Sequence, residues 1–226
     1  MTGKLYIVST PIGNLKDITL RAIEALNEVD FILCEDTRVT SILIKHYSII
    51  KQLISFNAVS EMKKIPIIIE RLQNGQSYAL VSDAGTPAIS DPGIRLVSEA
   101  IKSGIQVITI PGATALIAAL TISGLPTDSF TFEGFIPQKK GRQKKLQQLT
   151  GEERTIVLYE SSHRIEKLIN ELVNYFPERY VVVCRELTKK FEETWRGYPS
   201  ELKGKLNEKI IKGEFVVVIA SKEWKV

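Results

Sequence analysis

Two aspartates, Asp83 and Asp91, lie in a stretch otherwise made of small and turn-forming residues, SDAGTPAISDPG (82–93). It separates an apolar run (78–81) from an amphipathic one (93–102). Strand-to-helix connections in α/β units usually take about 2–6 residues, so this one is too long to be a plain connection. Its small side chains let a ligand approach the backbone, and its carboxylates suit a cationic or hydroxyl-rich ligand and repel phosphate. Three more turns end apolar runs in the same way: TPIGN (10–14), EDTR (35–38) and PGAT (111–114). Proline and glycine at any one turn are ordinary punctuation; four such turns on one sheet edge make a site. Neither GxGxxG nor GxxxxGK[ST] occurs, so the usual dinucleotide and P-loop fingerprints are absent. S-adenosylmethionine (SAM) fits the pattern, with a sulfonium, an ammonium and a ribose. The helix start after PGAT offers free amides for its carboxylate.

Two further clusters carry charge. Glu35, Asp36, Thr37 and Arg38 follow an apolar strand, where a carboxylate is a candidate base and Arg38 a candidate phosphate ligand; an internal salt-bridge cluster is the plainer reading. Lys139, Lys140, Arg142, Lys144 and Lys145 place five cations in seven residues. Alone they read as a solvated loop and helix start; beside an RNA-modifying cleft they read as phosphate contacts. Arg164, Arg185, Lys189, Lys190 and Arg196 are candidates to extend that patch. Trp195 is a candidate for stacking on a base, with packing the more ordinary role. Asp91, just before Pro92 and Gly93, is either a ligand contact or the N-cap of the next helix, with proline at its first position.

The elements that must position these residues alternate in the first half. Strands are expected over 5–9, 31–34, 78–81 and 106–110. Helices are expected over 19–26, after EDTR, over 65–73, over 94–103 and over 116–122. That alternation predicts a parallel sheet covered on both faces, with ligands beyond the carboxyl ends of its strands. The second half has strand patterns over 130–135, 155–159, 180–184 and 214–220, with helices over 164–175 and 202–212, and mixed strand order. The break falls near GLP (124–126), giving a first domain of 1–124 with the substrate and cofactor loops and a second of 125–226 that completes the site.

Composition sets outer limits. The 226 residues carry a mild net charge of +4, which permits a polyanionic partner without demanding one. Cys34 and Cys184 have no paired spacing, as expected for a reduced, cytosolic compartment. His46 and His163 are far apart and lack ligand-like neighbours, so no metal is expected. The apolar runs are of strand length, and no membrane span is expected.

In collinear order, STPIGNLKDITLRA, CEDTR, SDAGTPAISDPG, IPGATA, GLPTDSFTFEGFIP, YESSHR, RELTKKFEE and GEFVVVI run along nearly the whole chain. This series resembles the ribosomal RNA small subunit methyltransferase I family, among the tetrapyrrole-methylase-like (class III) SAM-dependent methyltransferases. The resemblance implies a two-domain α/β tetrapyrrole-methylase-like fold: a mainly parallel N-terminal sheet, a mixed-sheet C-terminal domain, and SAM in the cleft between them. It also implies a homodimer that 2′-O-methylates a cytidine in the decoding region of 16S rRNA within the small ribosomal subunit. By the same resemblance, SAM is lined by Pro11, Asp83, Thr86, Pro87, Ile89, Ser90, Thr114, Ala115 and Tyr159, with Leu187, Gly213, Glu214 and Phe215 near the adenine. Glu35, Asp36 and Arg38 are the catalytic candidates. Lys139, Lys140, Arg142, Lys144, Lys145, His163 and Arg164 are the RNA-binding ones.

The chain departs from the family pattern in places. Val39 follows CEDTR where many relatives have His, and YESSHR stands for the commoner YEAPHR. TPIGNLKD lacks the PGxGD form of tetrapyrrole methylases, which favours the RNA branch. The competing readings are a tetrapyrrole C-methyltransferase, which needs no run of five cations, and a non-catalytic RNA-binding assembly factor, which would not bind SAM.

Overall fold

The computed structural model describes residues 2–206 and 211–225. The chain divides into two compact units, Met1–Thr114 and Ala115–Val226. The sequence places the break after the apolar segment ALIAALTIS; compactness assigns that segment to the second unit.

In the first unit, strands β1 (Lys4–Val8), β2 (Phe31–Cys34), β3 (Gln52–Ser55), β4 (Tyr78–Leu80) and β5 (Gln106–Ile110) form one sheet in the order β3-β2-β4-β1-β5. Every pairing is parallel. The helices are α1 (Leu20–Glu28), α2 (Thr37–His46), α3 (Glu61–Gln73) and α4 (Ile94–Lys102). Side chains alternate along each strand. Leu5, Leu33, Tyr78 and Leu80 pack with Ile65, Ile68, Ile69 and Leu72 of α3 and with Leu96 and Ala100 of α4. Val8, Ile32, Cys34, Ala79 and Val81 pack with Ala22, Ala25 and Leu26 of α1. The expected doubly covered parallel sheet is therefore present.

The strand order has a functional consequence. The chain leaves β1 toward β2 and leaves the adjacent β4 toward β5, in opposite directions. That is a topological switch point, where open α/β sheets bind ligands beyond their carboxyl edge.

In the second unit, β6 (Phe130–Phe135), β7 (Thr155–Ser161), β8 (Val181–Arg185), β9 (Glu193–Gly197) and β10 (Glu214–Ile219) form a mixed sheet in the order β6-β7-β10-β8-β9. Only β6 and β7 pair in parallel. Helices α6 (Arg142–Leu149), α7 (Ile165–Tyr175) and α8 (Pro199–Leu206) share one core with Ile156, Leu158, Val181, Val183, Val217 and Ile219. Helix α5 (Ala115–Ser123), apolar along most of its length, packs against β10.

Four elements differ from the sequence expectation. β3 and β9 were not expected as strands: each is an edge strand of only four or five residues, with a weak apolar alternation. α3 starts at Glu61 rather than residue 65 and carries Pro66 inside it. An Asn57–Ser60 turn sets that early start: Asn57 Oδ1 accepts the Ser60 N–H at 3.0 Å, and Ser60 Oγ accepts the Asn57 N–H at 3.1 Å. The helix expected over 202–212 is seen as α8, which begins earlier, at Pro199; residues 207–210 of that expectation lie outside the described residues.

Candidate functional site

The four turns after β1, β2, β4 and β5 are tied together at the carboxyl edge of the first sheet. Thr10 and Gly85 form a two-way bridge: the Thr10 N–H donates to Gly85 O at 2.9 Å and the Gly85 N–H to Thr10 O at 3.1 Å. Thr10 Oγ1 donates to Ser82 O at 3.0 Å. The Ser9 and Thr86 hydroxyls are 2.9 Å apart, and Thr86 Oγ1 donates to Ala113 O at 3.3 Å. The Asp36 N–H donates to Asp83 Oδ1 at 3.0 Å. Each contact links segments at least 27 residues apart, so the edge is a product of tertiary folding.

The long loop is also conformationally committed. Ala88 (φ 67°) and Ser90 (φ 65°) hold the left-handed region that L-residues rarely occupy, at a cost of about 1–3 kcal/mol each. Such strain persists where surrounding contacts over-determine the backbone. Gly93 ends the loop at φ 132°, where a Cβ would fall 2.6 Å from Leu80 Cδ2. The Gly93 N–H donates to Oε1 of buried Glu61 at 3.3 Å.

These contacts correct the helix-cap reading of Asp91. Gly93, not Asp91, is the N-cap of α4, so Pro92 lies outside the helix. The Asp91 carboxyl is instead half-buried and hydrogen-bonded to Ser82, and burial followed by the Asp83 charge pushes its pKa up. Glu35 is also raised, first by burial and then by Asp83, Asp91 and Asp36. Asp36 is the opposite case. It caps α2, accepting the Arg38 N–H at 2.8 Å, and pairs with the Arg38 guanidinium, which pulls its pKa down to about 2. Of the two carboxylates after β2, Glu35 is the better proton acceptor near neutral pH.

The other expected first-unit residues lie on these same turns. Pro11 and Pro87 are buried, Thr86 and Thr114 half-buried, and Ile89 and Ser90 exposed. The rest form a group of their own in the second unit. Ala115 opens α5, and Tyr159 on β7 accepts the Leu116 N–H of its first turn at 3.1 Å. Past β8, the Glu186 N–H donates to Glu214 O at 3.0 Å, and the Glu214 N–H donates back to Glu186 Oε1 at 3.0 Å. This holds Leu187 and residues 213–214 side by side. Gly213 has φ 99°, and a Cβ there would fall 2.5 Å from Glu186 Cδ. The Phe215 side chain is core, packed on Trp195 with ring centroids 5.9 Å apart.

The basic segment divides. Lys139, Lys140 and Lys144 are exposed. Lys145 pairs with Glu133. Arg142, expected to contact RNA, is buried at 2% exposure and carries a structural ion pair instead. Its Nε donates to both Glu171 oxygens at 2.8 and 3.0 Å, its Nη1 donates to Pro137 O at 3.2 Å, and its Nη2 is 3.6 Å from Glu160 Oε2. The reason is the carboxylates of β7 and α7, which converge on the first residue of α6. Arg164 pairs with Glu160 at 2.8 Å, and His163 is exposed. Arg185 is buried, with Nε donating to Lys212 O at 2.7 Å. Lys189 is held between Glu186 and Glu214. Trp195 is 6% exposed, donates to Glu193 and is a packing residue, not a stacking one.

Sequence reasoning missed Glu61, Glu160 and Glu171 as organising carboxylates. A buried carboxylate looks like a surface one until its partner is known. Among the described residues, no group of three or more His, Cys, Asp and Glu side chains could hold a metal ion, and no helix is long and apolar enough to cross a membrane.

Comparison with known proteins agrees with the fold. The family model for tetrapyrrole (corrin/porphyrin) methylases matches residues 4–203. A Synechocystis sp. protein named ribosomal RNA small subunit methyltransferase I is 50% identical over 96% of this chain and 79% of its own length. A Thermotoga maritima protein of the same name is 46% identical over 98% of this chain and 100% of its own. Among solved structures, uroporphyrin-III C-methyltransferase from Thermus thermophilus, complexed with S-adenosyl homocysteine, superposes with a TM-score of 0.66 at 17% identity, covering 96% of this chain and 97% of that one.

Proposed function

This chain belongs to the tetrapyrrole (corrin/porphyrin) methylase family and, within it, to the ribosomal RNA small subunit methyltransferases I, and we propose that it methylates the ribose 2′-hydroxyl of a cytidine in the decoding region of 16S rRNA, using SAM. The observation that carries the reading is the 46% identity along the whole of the Thermotoga maritima relative.

The first-unit edge fits a cationic cofactor. Burial and neighbouring carboxylates raise the pKa values of Glu35 and Asp91, so this edge holds negative charge that a sulfonium or ammonium would relieve. Bound SAM supplies an electrophilic methyl group on a sulfonium, a good leaving group that departs as a neutral thioether. Asp83, Thr86, Pro87, Ile89, Ser90, Pro11 and Thr114 are assigned to it in the first unit, and Ala115, Tyr159, Leu187 and residues 213–215 in the second.

Glu35 takes the proton that the 2′-hydroxyl loses, while Asp36 holds α2 and Arg38. The Arg38 side chain, 89% exposed, is free on its outer side to meet a phosphate. The exposed Lys139, Lys140 and Lys144 supply sequence-independent affinity for the RNA backbone. The reading includes a homodimer, which sedimentation analysis tests.

The direct test incubates the protein with labelled SAM and small ribosomal subunits lacking the modification, then maps the label. Methyl on a cytidine 2′-oxygen is expected; methyl on a base, or none on a verified substrate, refutes the reading. Calorimetry on Asp83→Ala tests the cofactor assignment: SAM affinity falls at least tenfold, and unchanged affinity removes the cofactor from this loop.

A further inference from the structure

Phe135, the last residue of β6, is 51% exposed, yet its ring is held on two sides. Its centroid lies 5.7 Å from that of Tyr159, edge to face, and the Arg164 guanidinium carbon sits 5.5 Å from the ring. Arg164 is itself fixed: its Nε lies 2.8 Å from Glu160 Oε1 in an ion pair and donates to Ser161 Oγ at 3.2 Å, and its Nη1 donates to Ile136 O at 3.4 Å. Glu160, at 1% exposure, is thus the buried anchor for the cation beside the ring.

The backbone explains how the ring came to be there. Phe132 also packs on Tyr159, with centroids 4.9 Å apart. Residues three apart in a regular strand face opposite sides. Here the β6–β7 register shifts between Phe132 and Gly134, and Gly134 has φ 58°. The bulge brings Phe135 to the Tyr159 side, the kind of re-aiming that bulges perform beside functional sites. The exposed Lys139 and Lys140 follow within about 18 Å of chain at full extension.

We propose that Phe135 is a stacking surface for an unpaired base of the RNA substrate, with Arg164 and Tyr159 fixing its ring and the lysines that follow meeting the adjoining phosphates. The proposal rests on the reading of the chain as an rRNA methyltransferase. Single-stranded RNA is recognised largely by splayed bases stacked on aromatic rings. Such stacking tolerates any base and does not depend on salt in the way phosphate contacts do.

The test compares wild type, Phe135→Leu and Phe135→Trp for binding to unmodified small subunits across a salt series, with SAM affinity measured by calorimetry. Leucine keeps apolar volume but has no π-face. F135L is expected to weaken subunit binding about tenfold or more and to raise KM, with the salt slope and SAM affinity unchanged. F135W is expected to retain affinity, with an indole emission that subunits quench. F135L binding subunits as tightly as wild type would overturn the proposal. So would F135L losing SAM affinity, which makes Phe135 a cofactor residue, or changing the oligomeric state, which makes it an interface residue. Should F135L not fold, the presence or absence of the F135W quench decides. Failure of wild type itself to bind subunits refutes the underlying RNA reading instead.

Discussion

Replacing Arg142 by methionine removes a cation from a site that is 2% exposed while keeping much of its apolar stem. Glu171 then loses a guanidinium that donates to both its oxygens, and Glu160, with a side chain at 0% exposure, keeps only Arg164 of its two cations. Removing one partner of a buried pair costs about 3–5 kcal/mol, because the other charge stays behind without compensation. For a chain of this length, each kcal/mol moves the melting midpoint by about 2–4 °C. R142M is therefore expected to melt about 6–20 °C below wild type.

The control is Lys144→Met on the same helix, an exposed position where about 0.5 kcal/mol or less is expected. Urea denaturation and thermal melts followed by circular dichroism measure both. Adding Glu171→Gln to R142M should recover part of the loss, because it neutralises the charge left unpaired. If R142M were as stable as K144M but lost affinity for RNA, the burial argument would fail and Arg142 would return to the phosphate-contact set.

Neutralising Lys139, Lys140 and Lys144 together to glutamine should lower affinity for small subunits and reduce the slope of log K against log salt by up to about 2, at roughly 0.7 per single-strand phosphate contact; an unchanged slope would return the segment to a solvated loop. Gly93→Ala meets both a φ of 132° and Leu80 Cδ2 at 2.6 Å, so it should destabilise the protein by about 2 kcal/mol or more in denaturant melts and weaken SAM binding with it. For pH, the folded state raises the Glu35 pKa, so it binds more protons than the unfolded chain, and stability falls as pH rises from about 4.3, the unfolded value, through the raised folded value. Glu35→Gln should flatten that fall in a urea series between pH 4 and 8, and identical slopes would remove burial as the cause. Asp36 runs the other way: its contribution is present above its unfolded value of about 3.9 and is lost as pH falls through about 2. Asp36→Asn should therefore differ less from wild type at pH 2 than at pH 6.

Sequence patterns alone determined much of this protein. Short apolar runs at β1, β4 and β5, amphipathic periods in α1 and α4, and glycine stops at Gly75 and Gly104 are local properties, so a parallel first sheet and its four unusual turns were legible from the residues. The family was legible for a related reason, since its motifs fall on those same turns. The edge strands β3 and β9 were not legible, because QLIS and ETWRG mix polar and apolar residues where the equally short central strands β2 and β4 are uninterrupted apolar runs.

Charge was the least legible property, and only the tertiary structure assigned it. Arg142 is one cation among five until β7 and α7 bring Glu160 and Glu171 against it from 18 and 29 residues away. Asp36 and Glu35 are adjacent, yet one is held near pKa 2 by Arg38 while the other is raised by burial beside Asp83 and Asp91. Asp83 and Asp91 share one loop, and the sequence left Asp91 open between a ligand contact and a helix cap. One accepts the N–H that begins α2, and the other sits half-buried against Ser82 while Gly93 begins α4. Whether a charge stabilises, binds or moves a proton depends on its solvent exposure and on partners distant in the chain, and residue order specifies neither until the chain has folded.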